Sequence, residues 1–589
     1  MRQRLLVLFF CPALLISLSA AQRKTAPAPR GKSAPPPART YSPMSLPGRY
    51  NVAHAYEEGK VEFKSETVLV QVPMIVSDKA GTHVHGLGRA DFTVLEDGKP
   101  QKIATFEEIE PSRAPLDLPK GKTQFVNLAA AGDAPRSIVV FALDTVNTPY
   151  LDQYYGRKQL IEYLADHVAS GQVLSLVLIT SRGVKVIHDF TADPGELIKA
   201  LQNVKGEIPT MQGVDVDVQA AAVVGRDLPD SAVASLNNIA PRAQTQPALE
   251  DFLRNGEATL ARMQQDQAIE HTMKAFLTIA WSLSGVPGKK SIIWATGGFP
   301  FFIDSPAAVP GGHLSLLYER AMQALNDAEI SVYPVDVRGL VNYTVSDLSS
   351  TGGGSSYARS VAARAWLQDS TQEMLRDFAE MTGGRAFYNS NDLEKGYNRA
   401  VDDSSSYYVV GYYLDTSNTK PGWRKLKVKT GKPNLEVRAR SGFFVTRATV
   451  DPDLTRQSDI TYALSSPFDS TGIALTAKWR NTVAGGEKRK VNFGLLVPPD
   501  GILAQGSHNH VNLDVRIMAL AKKDGKIADG VSETIEADMN ADTLAKLRAD
   551  GLAYNNLLEL SPGEYVVRFV VRDNGTGKVG RVTAPLTVN

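Results

Sequence analysis

Between Arg136 and Val401 short, wholly apolar runs alternate with longer stretches whose apolar residues recur at helical spacing, and this alternation limits the fold more than any other feature. Ile138 to Leu143 is a continuous apolar run ending at Asp144, as expected of a strand buried on both faces. A helix follows, with Leu160, Ile161, Leu164 and Val168 on one stripe. Val173 to Ile179 reads as the next buried strand, and Val184 to Ile187 as a short edge strand. Further helices are expected over Pro194 to Val204, 257–284 and Leu314 to Leu325, with strands over Ser291 to Ala295 and Ile330 to Val335. Ser370-Thr371-Gln372-Glu373 forms a capping box opening a helix through Leu375 and Phe378, which Gly383-Gly384 closes. Repeated β–α alternation predicts a mostly parallel sheet with helices on both faces, over residues 130–405. Pro334 conflicts with a central strand and predicts an edge or bulged position.

The flanking segments read as β. Val68, Val70, Val72 and Met74 alternate, and Phe92 to Leu95 and Lys102 to Phe106 flank the turn Glu96-Asp97-Gly98-Lys99-Pro100. A small N-terminal β module is therefore expected over 61–110. A β meander is expected over 406–450, from Tyr407-Tyr408-Val409-Val410 to Phe443-Phe444. Residues 455–589 read as a C-terminal immunoglobulin-like β-sandwich. Asn574-Gly575-Thr576 matches a glycosylation sequon and, more simply, a hairpin turn.

Arg2 and Arg4 precede the apolar run Leu5 to Leu18, and Ser19-Ala20-Ala21 offers small residues for cleavage. That is the layout of a signal peptide over 1–21, so the protein is expected to be exported, to a periplasm or beyond the cell. Cys11 lies within that run and is the only cysteine, leaving a cleaved chain with none. Zinc ribbons, iron–sulfur sites, CxxC redox motifs and disulfide scaffolds are excluded. No later segment is long and apolar enough to predict a transmembrane helix. Residues 22–60, with Pro27, Pro29 and Pro35 to Pro37, read as an extended, Pro-rich, disordered linker. Lys+Arg 64 against Asp+Glu 63 leaves +1, which gives no support to nucleic-acid binding.

Residues 205–256 and 340–365 are long insertions rich in small and polar residues. Asp215 and Asp217 form a DxD in the first; two loop carboxylates read as solvated. Gly352-Gly353-Gly354 in the second lacks the strand–loop–helix context of a phosphate cradle. His188-Asp189 and His271 have no spacing-defined nucleophile, and no HExxH, GxSxG, Walker A or GxGxxG motif occurs in a catalytic context. His83 and His85 form an HxH with Asp91 nearby; spacing fixes no third ligand, so these read as loop histidines.

In an open parallel sheet, ligands bind beyond the carboxyl ends of the strands. Those ends carry Asp144, Asn147 and Thr148, then Thr180 and Ser181, Thr296, and Asp336. Such hard oxygen donors suit Mg²⁺ or Mn²⁺. The competing reading is that Asp144 and Thr148 cap the following helix.

Asp144-Thr145-Val146-Asn147-Thr148 after a buried strand, Gly288 to Trp294, Tyr333-Pro334-Val335-Asp336, Thr382-Gly383-Gly384-Arg385 and Tyr407 to Tyr412 occur in an order that resembles the acidobacterial von Willebrand factor A-related family. Asp91-Phe92 and Glu96-Asp97-Gly98 resemble the β segment ahead of that domain, and the likeness covers roughly 66–447. It implies a Rossmann-like A-type α/β domain binding protein partners through a metal-ion-dependent adhesion site. Asp144 would be the metal's carboxylate ligand and Thr148 its hydroxyl ligand, with Asn147 and Asp336 as further members. The chain departs from that pattern: Val146 stands at the first serine, Gly297 where a carboxylate is usual, and the separate threonine is Thr210 or Thr272. The function expected is that of an exported, non-enzymatic interaction or adhesion protein for a protein or cell-envelope ligand. Its alternatives are a metal-free scaffold whose β domains make the contacts and, ranked last, an envelope-polymer hydrolase.

Overall fold

A computed structural model describes residues 67–111, 123–127, 135, 137–167, 172–207, 209, 247–299, 313–340, 371–415, 420–445, 452–499 and 510–589. The expected leader and linker, Asp215 and Asp217, Thr210 and the glycine run at 352–354 lie outside them.

The chain opens with strands β1 (Thr67–Ser77), β2 (Phe92–Glu96), β3 (Lys99–Gln101) and β4 (Ile103–Ile109), followed by the short β5 (Gln124–Val126). The middle region contains β6 (Ile138–Asp144), α1 (Tyr150–His167), β7 (Val173–Thr180), β8 (Gly183–Thr191), α2 (Pro194–Gln202) and α3 (Pro247–Leu283). It continues through β9 (Lys290–Thr296), α4 (His313–Asp327), β10 (Ile330–Asp336), α5 (371–382) and α6 (Leu393–Asp402). Strands β11 (Tyr407–Asp415), β12 (Gly422–Thr430), β13 (Glu436–Ala439) and β14 (Gly442–Val445) lead to α7 (Pro452–Ser465). The last region holds β15 (Thr476–Gly485), β16 (Lys488–Val497), β17 (His510–Ala521), β18 (Ile527–Asp538), α8 (Ala541–Asp550), β19 (Leu552–Leu560), β20 (Gly563–Asp573) and β21 (Val579–Val588).

The expected fold class, a Rossmann-like mostly parallel sheet with helices on both faces between a small β module and an immunoglobulin-like sandwich, requires correction. The described molecule is mostly β, with its strands in five separate sheets, four of them wholly antiparallel. The fifth, in the order β10-β9-β6-β7-β8, is mixed: its inner pairs are parallel, and β8 runs antiparallel to β7. The reason is long-range pairing, to which local periodicity is blind. Sheet β13-β1-β11-β4 pairs Thr67 with Asp415 and Met74 with Tyr408; sheet β14-β12-β2-β3 pairs Phe92 with Thr430. Their shared core of Val72, Met74, Val94, Tyr408, Val410 and Phe443 is thus built from residues on either side of the middle region. The remaining two sheets, β19-β16-β15-β5 and β18-β17-β20-β21, close on one another around Phe493, Val515, Val567 and Phe569, and the first borrows β5 from far upstream.

The mixed sheet positions the candidate site. Ile138, Val140 and Ala142 of β6 join an apolar cluster with α3 and α4 residues such as Phe276 and Met322. Val139, Phe141 and Leu143 join a second cluster with Leu164 of α1, Leu197 of α2 and Tyr397 of α6. Every residue of β6 is consequently buried, and the strand delivers Asp144 to its carboxyl end beside β7 and β9. Pro334 lies in β10 at the end of the sheet order, where its carbonyl accepts a bond from Phe387 N at 2.8 Å and its missing N–H interrupts no inner ladder.

Candidate functional site

Asp144 is buried, and its carboxylate is enclosed by donors. Oδ1 accepts hydrogen bonds from the backbone N–H groups of Val146 at 2.9 Å and Asn147 at 3.0 Å. Oδ2 accepts from Asn147 Nδ2 at 2.7 Å and Trp294 Nε1 at 3.0 Å, and Thr296 Oγ1 lies 3.0 Å away. Thr296 shares its one proton between Oδ2 and Gly298 O, 2.7 Å distant. Burial pushes the carboxyl above its usual range, and the donors of Asn147, Thr296 and Trp294 pull it back. Four N–H groups plus a hydroxyl use the lone-pair directions a carboxylate offers.

Asn147 Nδ2 also donates to Thr272 Oγ1 at 2.8 Å, while Thr272 donates to Ala268 O within α3. The amide nitrogen thus sits between a carboxylate and a hydroxyl, the pair a cation would join; turned the other way, its oxygen would face the carboxylate. Asn147 Oδ1 is buried without a hydrogen-bond partner. Of the two candidate threonines, Thr272 reaches the site. Thr148 Oγ1 accepts from Gly297 N at 2.9 Å. A Cβ at 297 would lie 2.9 Å from Pro149 Cδ and 3.0 Å from Asn147 O, so the carboxylate expected there has no room. Val146 is packed in the apolar cluster rather than turned toward Asp144.

Asp336 stands apart from this network. Its Oδ1 accepts from Arg338 N and Nε at 3.0 and 2.9 Å, and its Oδ2 from Arg338 Nη2 at 2.7 Å. Thr180 closes the β7–β8 turn, donating to Gly183 O at 2.8 Å. A divalent cation at Asp144 would have to displace the Asn147 amide and further N–H donors, so the residues present do not fit Mg²⁺ or Mn²⁺ at this point. The capping alternative fares no better. The side chains of Asp144 and Thr148 bond Val146, Asn147, Trp294, Thr296 and Gly297, none of them in α1.

Above this closed network lies an open, apolar groove of about 260 Å³, lined by Leu143, Thr148, Tyr150, Tyr154, Val204 and Gly206 among others. Tyr150, Leu151 and Tyr154, in the first turns of α1, are 53%, 80% and 60% exposed. Gln153 fastens the facing wall: its Nε2 donates to Thr148 O at 2.8 Å and Glu207 O at 2.9 Å, and its Oε1 accepts from Glu207 N at 3.0 Å. Arg157 bonds Val204 O and lies 5.3 Å from the Tyr154 ring centroid. The opening residues of the first insertion are thereby held against α1. Sequence reasoning passed over this rim, although Tyr150, Leu151 and Tyr154 fall outside the stripe of Leu160 and Leu164, an available signal.

Elsewhere, His188 Nδ1 lies 2.7 Å from Asp189 O, and its Nε2 3.6 Å from Glu196 Oε2. His271 is half-buried in α3, and burial lowers its pKa. Asp91 is engaged by Gly88 N at 2.8 Å and Lys432 at 3.1 Å, and does not join the histidines of the HxH. No family model and no curated protein matches the chain.

Proposed function

We propose that this is an exported, non-enzymatic interaction protein of the von Willebrand factor A-related kind, and that its strand-end groove engages a protein ligand of the cell envelope without a bridging metal. The observation behind this reading is the pairing of a donor-saturated Asp144 with an exposed apolar rim directly above it. Exposed tyrosines beside a groove supply large contact area with few rotamers to freeze, as binding hot spots do, and Leu151 extends the apolar patch. Asp144 then serves as a floor that keeps the β6–α1 turn, and with it Tyr150, in place. Asp144, Asn147, Thr272 and Thr296 are tied to one another, Asp336 to Arg338 and Thr180 to Gly183 O, an arrangement that supports a binding role over a hydrolytic one.

The test is retention of the purified chain on immobilised native envelope membranes, compared with a Tyr150→Ser/Leu151→Ser/Tyr154→Ser variant, each with and without chelator. Retention lost in the variant and indifferent to chelator is expected. Retention unchanged in the variant would move the contact to the β-domain surfaces. Retention abolished by chelator alone would restore the metal-bridged reading.

A further inference from the structure

The two histidines at 83 and 85 acquire a partner that sequence spacing hides. The segment after β1 turns back on it: Val84 N donates to Val76 O at 2.9 Å, and His83 forms a β-bridge with Ser77. In an extended segment, residues two apart project to the same side. Both imidazoles therefore meet β4, an outer strand of its sheet, where Glu108 projects toward them. His85 Nδ1 lies 2.7 Å from Glu108 Oε1, and His83 Nε2 lies 3.8 Å from the same oxygen. One ligand atom from each of the three falls within 4.8 Å of the other two.

The surroundings are organised for this cluster. His83 stacks on Tyr408, with ring centroids 5.5 Å apart, and its side chain is 14% exposed. Neither of its ring nitrogens has a hydrogen-bond partner, a costly arrangement for a buried polar group unless something else occupies them. Glu108 Oε2 accepts from Gly86 N at 3.0 Å, which orients the carboxylate and leaves Oε1 toward the histidines. Tyr408 donates to Val84 O at 2.8 Å and accepts from Leu87 N at 3.2 Å, pinning the loop on both sides of His85. Burial and the neighbouring His85 hold the His83 imidazole below its usual pKa, against the pull of Glu108. Burial works against the Glu108 carboxylate, but Gly86 N–H and His85 keep its pKa low.

We propose that His83, His85 and Glu108 form a binding site for a zinc(II)-class cation that clamps the loop after β1 onto β4. Two imidazoles and one carboxylate favour borderline transition ions over Mg²⁺ or Ca²⁺. Ligand distances of about 2.0–2.2 Å require donor atoms roughly 3.4 Å apart. The His85–Glu108 contact must therefore open slightly while the others close, a movement that His85, 55% exposed, makes by side-chain rotation. Glu110, whose Oε1 is 3.8 Å from His85 Nδ1, stands close enough to supply a fourth oxygen, directly or through water.

The experiment is calorimetric titration of Zn²⁺ into the tag-free, chelator-stripped chain, alongside His85→Ala and Glu108→Gln, with Zn²⁺-dependent thermal unfolding as a second readout. Expected are one saturable equivalent and affinity reduced at least about tenfold in His85→Ala and Glu108→Gln. Zn²⁺ is expected to raise the unfolding temperature of the parent chain and not that of His85→Ala. Both His85 and Glu108 are partly solvent-facing, so circular dichroism should report folded variants. Absence of saturable binding up to about 1 mM Zn²⁺, or binding unaltered in both folded variants, would overturn the proposal. The groove proposal stands or falls separately, since the Tyr150→Ser/Leu151→Ser/Tyr154→Ser variant leaves this loop intact and His85→Ala leaves the groove intact.

Discussion

Lys289 and Lys290, at the start of β9, are buried side by side in the sequence and face different surroundings. Lys289 Nζ donates to Tyr333 OH at 3.2 Å and Asp403 O at 3.1 Å, close to the Arg438–Asp403 ion pair; Lys290 Nζ donates to Val286 O at 2.8 Å, with Glu329 as its nearest charge. Burial pushes the Lys289 amine down to about 7 and that of Lys290 to about 8. An unfolded lysine titrates near 10.4, so above pH 7 the unfolded chain binds protons that the folded chain does not. Stability must then rise with pH through that window, by at most about 1.4 kcal/mol per pH unit for each lysine. Urea unfolding at pH 7 and pH 9 is expected to show a midpoint that increases with pH, and Lys289→Met a smaller increase; equal increases in the two proteins would refute the assignment. At this same scale, Asp144 was legible as the polar end of an apolar run. Its role was not, because its partners Trp294 and Thr296 lie 150 and 152 residues away.

The element least visible in the sequence is β5, three residues too short to alternate. It adds to β15 by pairing Thr476 with Val126, and the residue after it does more than the strand itself. Asn127 is buried; its Nδ2 donates to Ser470 O at 2.6 Å and Ile473 O at 2.8 Å, and its Oδ1 accepts from Leu475 N at 2.7 Å. Its amide thus supplies partners to three backbone groups of the segment entering β15. Asn127→Leu removes all three bonds; Ser470 O keeps Arg581 N at 2.8 Å, but Ile473 O and Leu475 N lose their Asn127 partner, which should lower stability by about 2–4 kcal/mol. Hydrogen exchange should localise the loss to 470–485; faster exchange elsewhere with this segment unchanged would contradict the role. The long apolar runs β6, β7, β9 and β10 were readable because burial on every side leaves a composition signal. An asparagine in a short extended segment carries no such mark and reads as loop.

At the scale of the whole molecule, the first β unit is finished only after some three hundred residues have passed, since β1 and β4 both pair with β11 and β2 pairs with β12. A chain ending at residue 405 keeps β1–β4 but loses β11–β14 and the core residues Tyr408, Val410, Leu426 and Phe443. Residues 67–109 of that shortened chain are expected to exchange amide hydrogens rapidly and to be cut early by protease; protection equal to that of the full chain would show an independent module. Periodicity could identify these strands and could not pair them, which is why the sequence read as a string of separate units. The same closure has a mechanical meaning. Ile109 and Tyr407 are opposite one another in register, so the middle region leaves and re-enters the β unit at neighbouring points. A load applied upstream of Thr67 and resisted by the middle region, which joins β11 at the Tyr407 end, pulls β1 lengthwise against β11, so the pairs from Thr67–Asp415 to Met74–Tyr408 yield together in shear; resisted downstream of Asp415, the same load opens them one by one.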